Sequence, residues 1–325
     1  MSRLQTTDGL TEEQVDLLGL VKEFVDEQII PVAQELEHAD EYPQKIVDQM
    51  KEMGIFGLMI PEEFGGLGES LLTYALCVEE IARGWMPVSG IINTHFIVAY
   101  MILKHGTEEQ KQHYLPKMAT GEIRGAFSMS EPGLGSDVAG IKTKAVRDGD
   151  SDDWTINGQK MWTSLIAYAD YVWLAVRTNP EAKKHRGISM LIVPTTAEGF
   201  SWTPVHTVSG VDTSATYYQD VRVPKSALVG EENAGWTYAK FLLSNERTGI
   251  TQVGRTKVKL AEVKAHAQRN GLIDDPLFAA RLAELENDIL ALELTQMRVA
   301  SGSKDGKPNP ASSVLKLRGS QLQLA

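Results

Sequence analysis

The chain has 325 residues, 42% of them apolar and 23% charged, which is ordinary for a folded protein large enough to hold two or three domains. Its net charge of −11 argues against a nucleic-acid binder, because neutralising phosphate requires a basic face. The single cysteine, Cys77, excludes an intrachain disulfide, and none of the seven histidines falls at metal-ligand spacing.

No apolar run reads as approaching the ~18–20 residues that span a bilayer. The opening MSRLQTTDGL lacks both a signal-peptide core and an Arg/Ser-rich transit segment. The expectation is a soluble, cytoplasmic protein that engages no nucleic acid and no membrane.

Residues 1–121 read as helical. Thr11-Glu12-Glu13-Gln14 is a capping box, and behind it Leu18, Val21, Val25 and Ile29 recur at three- and four-residue steps, so one face is buried. Pro31 is expected to interrupt this helix. A second helix is expected over 44–53, ended at Gly54. Another capping box, Thr107-Glu108-Glu109-Gln110, opens a short helix carrying Tyr114 and Leu115. Between them, Gly65-Gly66-Leu67-Gly68 follows no strand, so it reads as a loop between helices and not as a dinucleotide fingerprint.

Over 122–231 the period changes to two. Strands are expected at 125–130, 140–146, 154–157, 171–177, 188–193 and 215–223, with turns at Asp148-Gly149-Asp150 and Asn157-Gly158. With no helices between them, these strands point to antiparallel sheets or a barrel-like domain and exclude a βαβ dinucleotide fold. Over 232–325 helix returns: one long segment to about Asn270, another over 276–299, and a last over 312–324. The fold class is therefore α+β, helix–sheet–helix. The final helical pattern stops at Ala325 without a C-cap, so the expectation is a C-terminal bundle that is incomplete.

Two segments carry chemistry. In Glu131-Pro132-Gly133-Leu134-Gly135-Ser136-Asp137, which follows a strand, glycines permit close backbone approach and an anion-binding concavity, and Ser136 adds a hydroxyl. The plainer alternative is a tight strand connection. In Lys160-Met161-Trp162-Thr163-Ser164 the indole is able to stack on a planar ring while the hydroxyls bind its heteroatoms; equally, Trp162 reads as a core aromatic.

Taken in order, the segments GLMIPEEFGGLG (57–68), FSMSEPGLGSD (127–137), NGQKMWTS (157–164) with Tyr168-Ala169-Asp170, VRVP (221–224), LVGEEN (228–233) and Asn245-Glu246-Arg247 resemble the acyl-CoA dehydrogenase family over nearly the whole chain. The resemblance implies a helical domain, a middle β domain and a C-terminal helical bundle, with FAD held by 125–136 and 160–164. It implies that Phe127, Met129, Ser130 and Trp162 line the flavin ring and that Gly135, Ser136 and Thr163 belong to the cofactor site. Ser136 would also meet the thioester. Ser164 stands where the family usually has Thr, whose hydroxyl bonds flavin N5.

The implied reaction is α,β-dehydrogenation of an acyl-CoA to the trans-2-enoyl-CoA: a desolvated carboxylate takes the α proton while the β hydride moves to the flavin. In much of the family the base is a Glu in the last third of the C-terminal bundle, a point this sequence does not reach; another branch carries it on an earlier helix, immediately before an Arg. Glu246 matches it as base, with Arg247 as catalytic and substrate-binding neighbour. The implied partners are electron-transfer flavoprotein and further subunits, as a homo-oligomer (dimer or tetramer) or a heteromer. The alternative is a non-catalytic or FAD-sharing subunit of a heteromeric enzyme. The Arg-x-x-Phe-Gly segment usual in the family is missing around Ala265–Leu272; the second half resembles a bacterial branch that includes steroid side-chain and dicarboxylyl-CoA enzymes, while the first half is more similar to straight-chain relatives.

Overall fold

The computed structural model describes residues 10–135, 137–208, 210–246, 253–301 and 311–325. In chain order these form the helices α1 (Glu12–Phe24), α2 (Ile30–Ala39), α3 (Gln44–Glu52), α4 (Leu71–Gly84), α5 (Met86–His105) and α6 (Glu108–Ala119). The strands follow: β1 (Gly125–Ser128), β2 (Lys144–Arg147), β3 (Trp154–Ser164), β4 (Tyr171–Arg177), β5 (Ile188–Pro194), β6 (Phe200–Thr207), β7 (Gly210–Val223) and β8 (Leu228–Val229). The helices α7 (Gly235–Glu246), α8 (Val253–Arg269), α9 (Pro276–Ser301) and α10 (Ser312–Leu324) close the chain. Two compact units result, one from Met1–Ile46, Glu69–Asn93 and Leu243–Ala325, the other from Val47–Gly68 and Thr94–Leu242.

In the first unit the Thr11 capping box forms as expected: Thr11 Oγ1 accepts from Gln14 N–H and the Gln14 side chain accepts from Thr11 N–H. Pro31 does not break the pattern. A π turn over Val25–Ile29 carries α1 into α2, and Pro31 sits in the first turn of α2, where a missing N–H costs no helical bond. That turn keeps Val25 and Ile29 buried on the face already occupied by Leu18 and Val21. At the other end of the chain, Leu260 of α8, Leu282 and Ile289 of α9 and Leu315 of α10 form one core.

The second unit is built on a sheet of order β6-β7-β3-β2-β4-β5-β8, with β1 beside β4. Trp154, Ile156, Val172, Leu174, Val176, Leu191, Val193 and Val221 fill its core. Pairing is antiparallel except at β4, which meets β1 and the start of β2 in parallel. The all-antiparallel expectation fails there because the β1–β4 connection is long enough for a crossover and spends its length on β2 and β3 instead of a helix.

Several strand limits differ from the sequence reading. Residues 140–143 are not strand: Gly140 closes a short 3₁₀ turn, Val138–Gly140, and β2 begins only at Lys144. β3 runs on to Ser164, since Asn157-Gly158 is not a turn but a bulge against β7, with Gly158 packed so tightly on Thr143 that no Cβ fits. β6 was not legible: it is an edge strand, mostly exposed, and its Pro204 removes a ladder donor.

Helix α5 corrects another reading. It has 20 residues with a window of mean hydropathy 1.5, enough in length and composition to cross a membrane, but 61% of that window is buried inside the protein, as in a core helix.

The 65–68 cluster is structural. A Cβ on Gly66 would run into the carbonyl oxygens of Ile60 and Gly57, and the neighbouring amides of Leu67 and Gly68 donate to those same two oxygens at 2.9 Å. Gly66→Ala is therefore expected to destabilise the protein by about 1–3 kcal/mol through forced backbone displacement. A urea midpoint unchanged from wild type would show that the turn has room to move.

Candidate functional site

β1 ends at Ser128, and its continuation, Met129–Glu131, runs beside the end of β3. Three contacts join the strips. Met161 N–H donates to Ser130 O at 2.9 Å, Lys160 Nζ donates to Met129 O at 3.0 Å, and the Ser128 and Thr163 hydroxyls lie 2.8 Å apart. The two segments singled out in the sequence thus meet.

Beyond Lys160 the pairing of β3 with β7 slips before resuming at Thr163. In that slip Trp162 has φ +64°, and its side chain is 57% exposed. A bulky aromatic with positive φ is an outlier that costs on the order of 1–3 kcal/mol and persists only where the surroundings impose it. Trp162 is therefore not the core aromatic that one reading of the sequence allowed. Trp154 and Trp173, by contrast, are fully buried.

Ser164 is exposed, and Ser130 is half-buried; among the described residues neither hydroxyl has a hydrogen-bond partner. Phe127 is half-buried with its ring 5.5 Å from that of Trp173, and Met129 is almost fully covered. Thr163 points inward and is wholly buried, its hydroxyl committed to Ser128, so it buttresses the cradle from behind. Gly135 lies in open space in the loop after β1, where Gly133 has φ +77°. Asp137, two residues further on, pairs with Lys184 at 2.5 Å.

Behind the strips lies a charge pair that the sequence reading missed. Lys160 is completely buried, with Nζ 2.9 Å from Glu131 Oε1. The Glu131 carboxylate also accepts from the N–H groups of Lys142 at 2.7 Å and Thr143 at 2.9 Å. Burial pushes Lys160 down to about 8 against the opposing pull of Glu131. Burial alone would raise the Glu131 carboxyl, but Lys160 and the two amide donors outweigh it and hold the group below its usual range. One signal was available: Lys160 falls at an inward position of the strand alternation.

The remaining expected residues are not all placed. Glu246 is the last residue of α7, but its side chain lies outside the described residues, as do Ser136 and Arg247 altogether. Among the described residues no group of His, Cys, Asp and Glu is arranged to hold a metal.

An exposed indole, two open hydroxyls and a half-buried phenyl ring on adjoining strips fit a flat ring system with polar edges, such as the isoalloxazine of FAD. Trp162→Gly separates strain from binding. The glycine variant is expected to hold or gain about 1 kcal/mol in apoprotein stability as the strain is released. Its FAD affinity should fall on the order of tenfold with the loss of the aromatic face. Thermal unfolding and a fluorescence titration with FAD read the two effects; unchanged affinity would remove Trp162 from the cradle.

Comparison with known proteins gives a consistent picture. Family models described as acyl-CoA dehydrogenase N-terminal, middle and C-terminal domains match residues 11–122, 126–221 and 233–324. The chain is 48% identical over 293 residues to "Acyl-CoA dehydrogenase FadE26" of Mycobacterium tuberculosis, covering 86% of this chain and 72% of that protein. Among solved structures, the ChsE4-ChsE5 complex from Mycobacterium tuberculosis superposes with a TM-score of 0.82 at 42% identity, covering 99% of this chain and 83% of that one. A structure described as the Tcur3481-Tcur3483 steroid ACAD gives 0.83 at 35% identity, with coverages of 99% and 84%.

Proposed function

The chain belongs to the acyl-CoA dehydrogenase family, and on that premise we propose that it removes the α proton of an acyl-CoA thioester with Glu246 and delivers the trans-2-enoyl product. The family assignment makes the protein an FAD-dependent oxidoreductase acting on the CH–CH group of acyl-CoA. When bound, FAD supplies the two-electron oxidation.

The observation that carries the reading is the bulge at Trp162, which tolerates backbone strain to leave an indole open on strips that also carry the Ser130 and Ser164 hydroxyls, both without a hydrogen-bond partner among the described residues. In this reading Trp162 and Phe127 flank the ring, while Met129, Ser130 and Ser164 bind its edge. Thr163 supports them from the buried side. Gly135 and Ser136 supply the loop that meets the phosphates or the thioester. Glu246 takes the proton, and Arg247 beside it orients the substrate and stabilises the negative charge that develops on the thioester. Electron-transfer flavoprotein is the proposed acceptor.

The test is an anaerobic titration of the purified yellow protein with a panel of acyl-CoAs. Loss of flavin colour with at least one of them is expected. Bound FAD that no acyl-CoA bleaches would overturn the reading. The description of one structural neighbour as a steroid ACAD places steroid acyl-CoAs on that panel.

A second reading, a subunit that shares FAD with a different partner chain, draws support from the neighbour described as a complex of ChsE4 with ChsE5. It predicts weak FAD loading of the chain alone and recovery on co-expression with a partner. Full loading of the isolated chain would speak against it.

A further inference from the structure

Among the described residues of the second unit, Lys160 and Glu131 form the most deeply buried ion pair, and the cofactor site makes no use of their charges. Their placement has a directional consequence. In a trans peptide the C=O and N–H point to opposite sides, so whatever captures the Met129 carbonyl also aims the Ser130 N–H. Lys160 Nζ captures that carbonyl from within the sheet at 3.0 Å, which turns the Ser130 N–H to the side away from the buried ammonium. Met161 N–H holds the next carbonyl, that of Ser130, at 2.9 Å.

Glu131 completes the arrangement. It neutralises Lys160 and, through the amides of Lys142 and Thr143, ties the far end of the glycine-bearing loop to the same point. Thr143 Oγ1 in turn donates to Gln159 O at 3.1 Å, one residue before Lys160. One buried carboxylate thus fixes where the loop leaves the first strip and where it returns to the sheet.

We infer that the Lys160–Glu131 pair is a positioning device for the flavin. It sets the direction of the Ser130 amide donor and the span of the 131–143 loop, so that the cradle is formed before FAD arrives. The pair touches neither cofactor nor substrate. A cationic donor on a backbone carbonyl is stronger than a neutral one, and its attachment to Glu131 leaves it little freedom. This inference rests on the FAD reading of the site, and the experiment separates the two.

The obvious variant, Lys160→Met, strands Glu131 as an unpaired buried charge and can fail to fold for that reason alone. The informative variant is Lys160→Met/Glu131→Gln, which removes both charges at nearly constant volume. It is expected to fold and to bind FAD on the order of 10- to 100-fold more weakly than wild type, the effect of losing a charged hydrogen bond at a positioned donor. A purely structural role for the pair predicts instead that removing both charges restores affinity.

A second measurement needs no substitution. Lys160, with Glu131 and Arg177 as the charged groups around it, gives up its proton near pH 8, well before an exposed lysine. The Met129 carbonyl then loses its cationic donor, and FAD affinity of the wild-type protein is expected to fall as pH rises through that value. FAD affinity that is constant through about pH 8, or a double variant within about twofold of wild type, would overturn the inference. Failure of the wild-type protein to bind FAD at neutral pH would instead count against the cofactor reading.

Discussion

Glu246→Gln is expected to slow acyl-CoA dehydrogenation by about 100- to 10,000-fold while leaving FAD bound, the range for removing a positioned general base. The amide keeps the shape of the side chain and one acceptor oxygen but cannot take a proton, so substrate and cofactor binding should survive and the chemistry should not. Glu246→Asp, which keeps the carboxylate and retracts it by one methylene, is expected to fall between the two. The measurement is the anaerobic bleaching rate of the FAD-loaded protein with an acyl-CoA that bleaches wild type. Glu246 is the last residue of α7, and Arg247 follows it in the sequence. Bleaching by Glu246→Gln at the wild-type rate would move the base elsewhere in the chain or onto another subunit.

How much of this was legible in the sequence depended on the range of the interactions involved. Both capping boxes were readable because their partners lie three residues apart, and Thr11 with Gln14 and Thr107 with Gln110 form the bonds expected of them. Strand β4 was readable over its full length because a short apolar run between turn signals has one plausible fate. Asn157-Gly158 misled: the pair that marks hairpin turns sits here at a bulge, where glycine is needed because Thr143 of another segment lies against it. Pro31 misled for a similar reason, since its effect depends on a π turn that propensity does not reveal. The site divided in the same way. Its two strips could be found as motifs, but Lys160 meets Glu131 across 29 residues, and only the folded sheet shows that the lysine is buried.

Lys257→Met should be among the most destabilising substitutions in the first unit, at about 3–5 kcal/mol, the cost of removing one partner from a buried ionic group. Lys257 of α8 is 4% exposed, with Nζ 3.1 Å from Glu79 Oε1 of α4 and 2.5 Å from Glu293 Oε1 of α9. The second Glu293 oxygen is already buried without a hydrogen-bond partner among the described residues. Taking away the ammonium leaves two carboxylates, both at most 9% exposed, with no cation between them. One turn earlier, Gly254 lets α8 approach the α4 backbone at Glu79 so closely that a Cβ would lie 2.7 Å from its carbonyl oxygen. The helices therefore have little freedom to part and admit water. Such a loss is a large share of the roughly 5–15 kcal/mol that holds a typical domain folded. A control isolates charge from packing: Glu79→Leu/Lys257→Met/Glu293→Leu replaces the triad with apolar groups of similar size and is expected to recover most of the loss. Urea midpoints of the wild type, the single and the triple variant decide it. If the single variant lies within about 1 kcal/mol of wild type, the triad is already hydrated and its charges do not organise the helices.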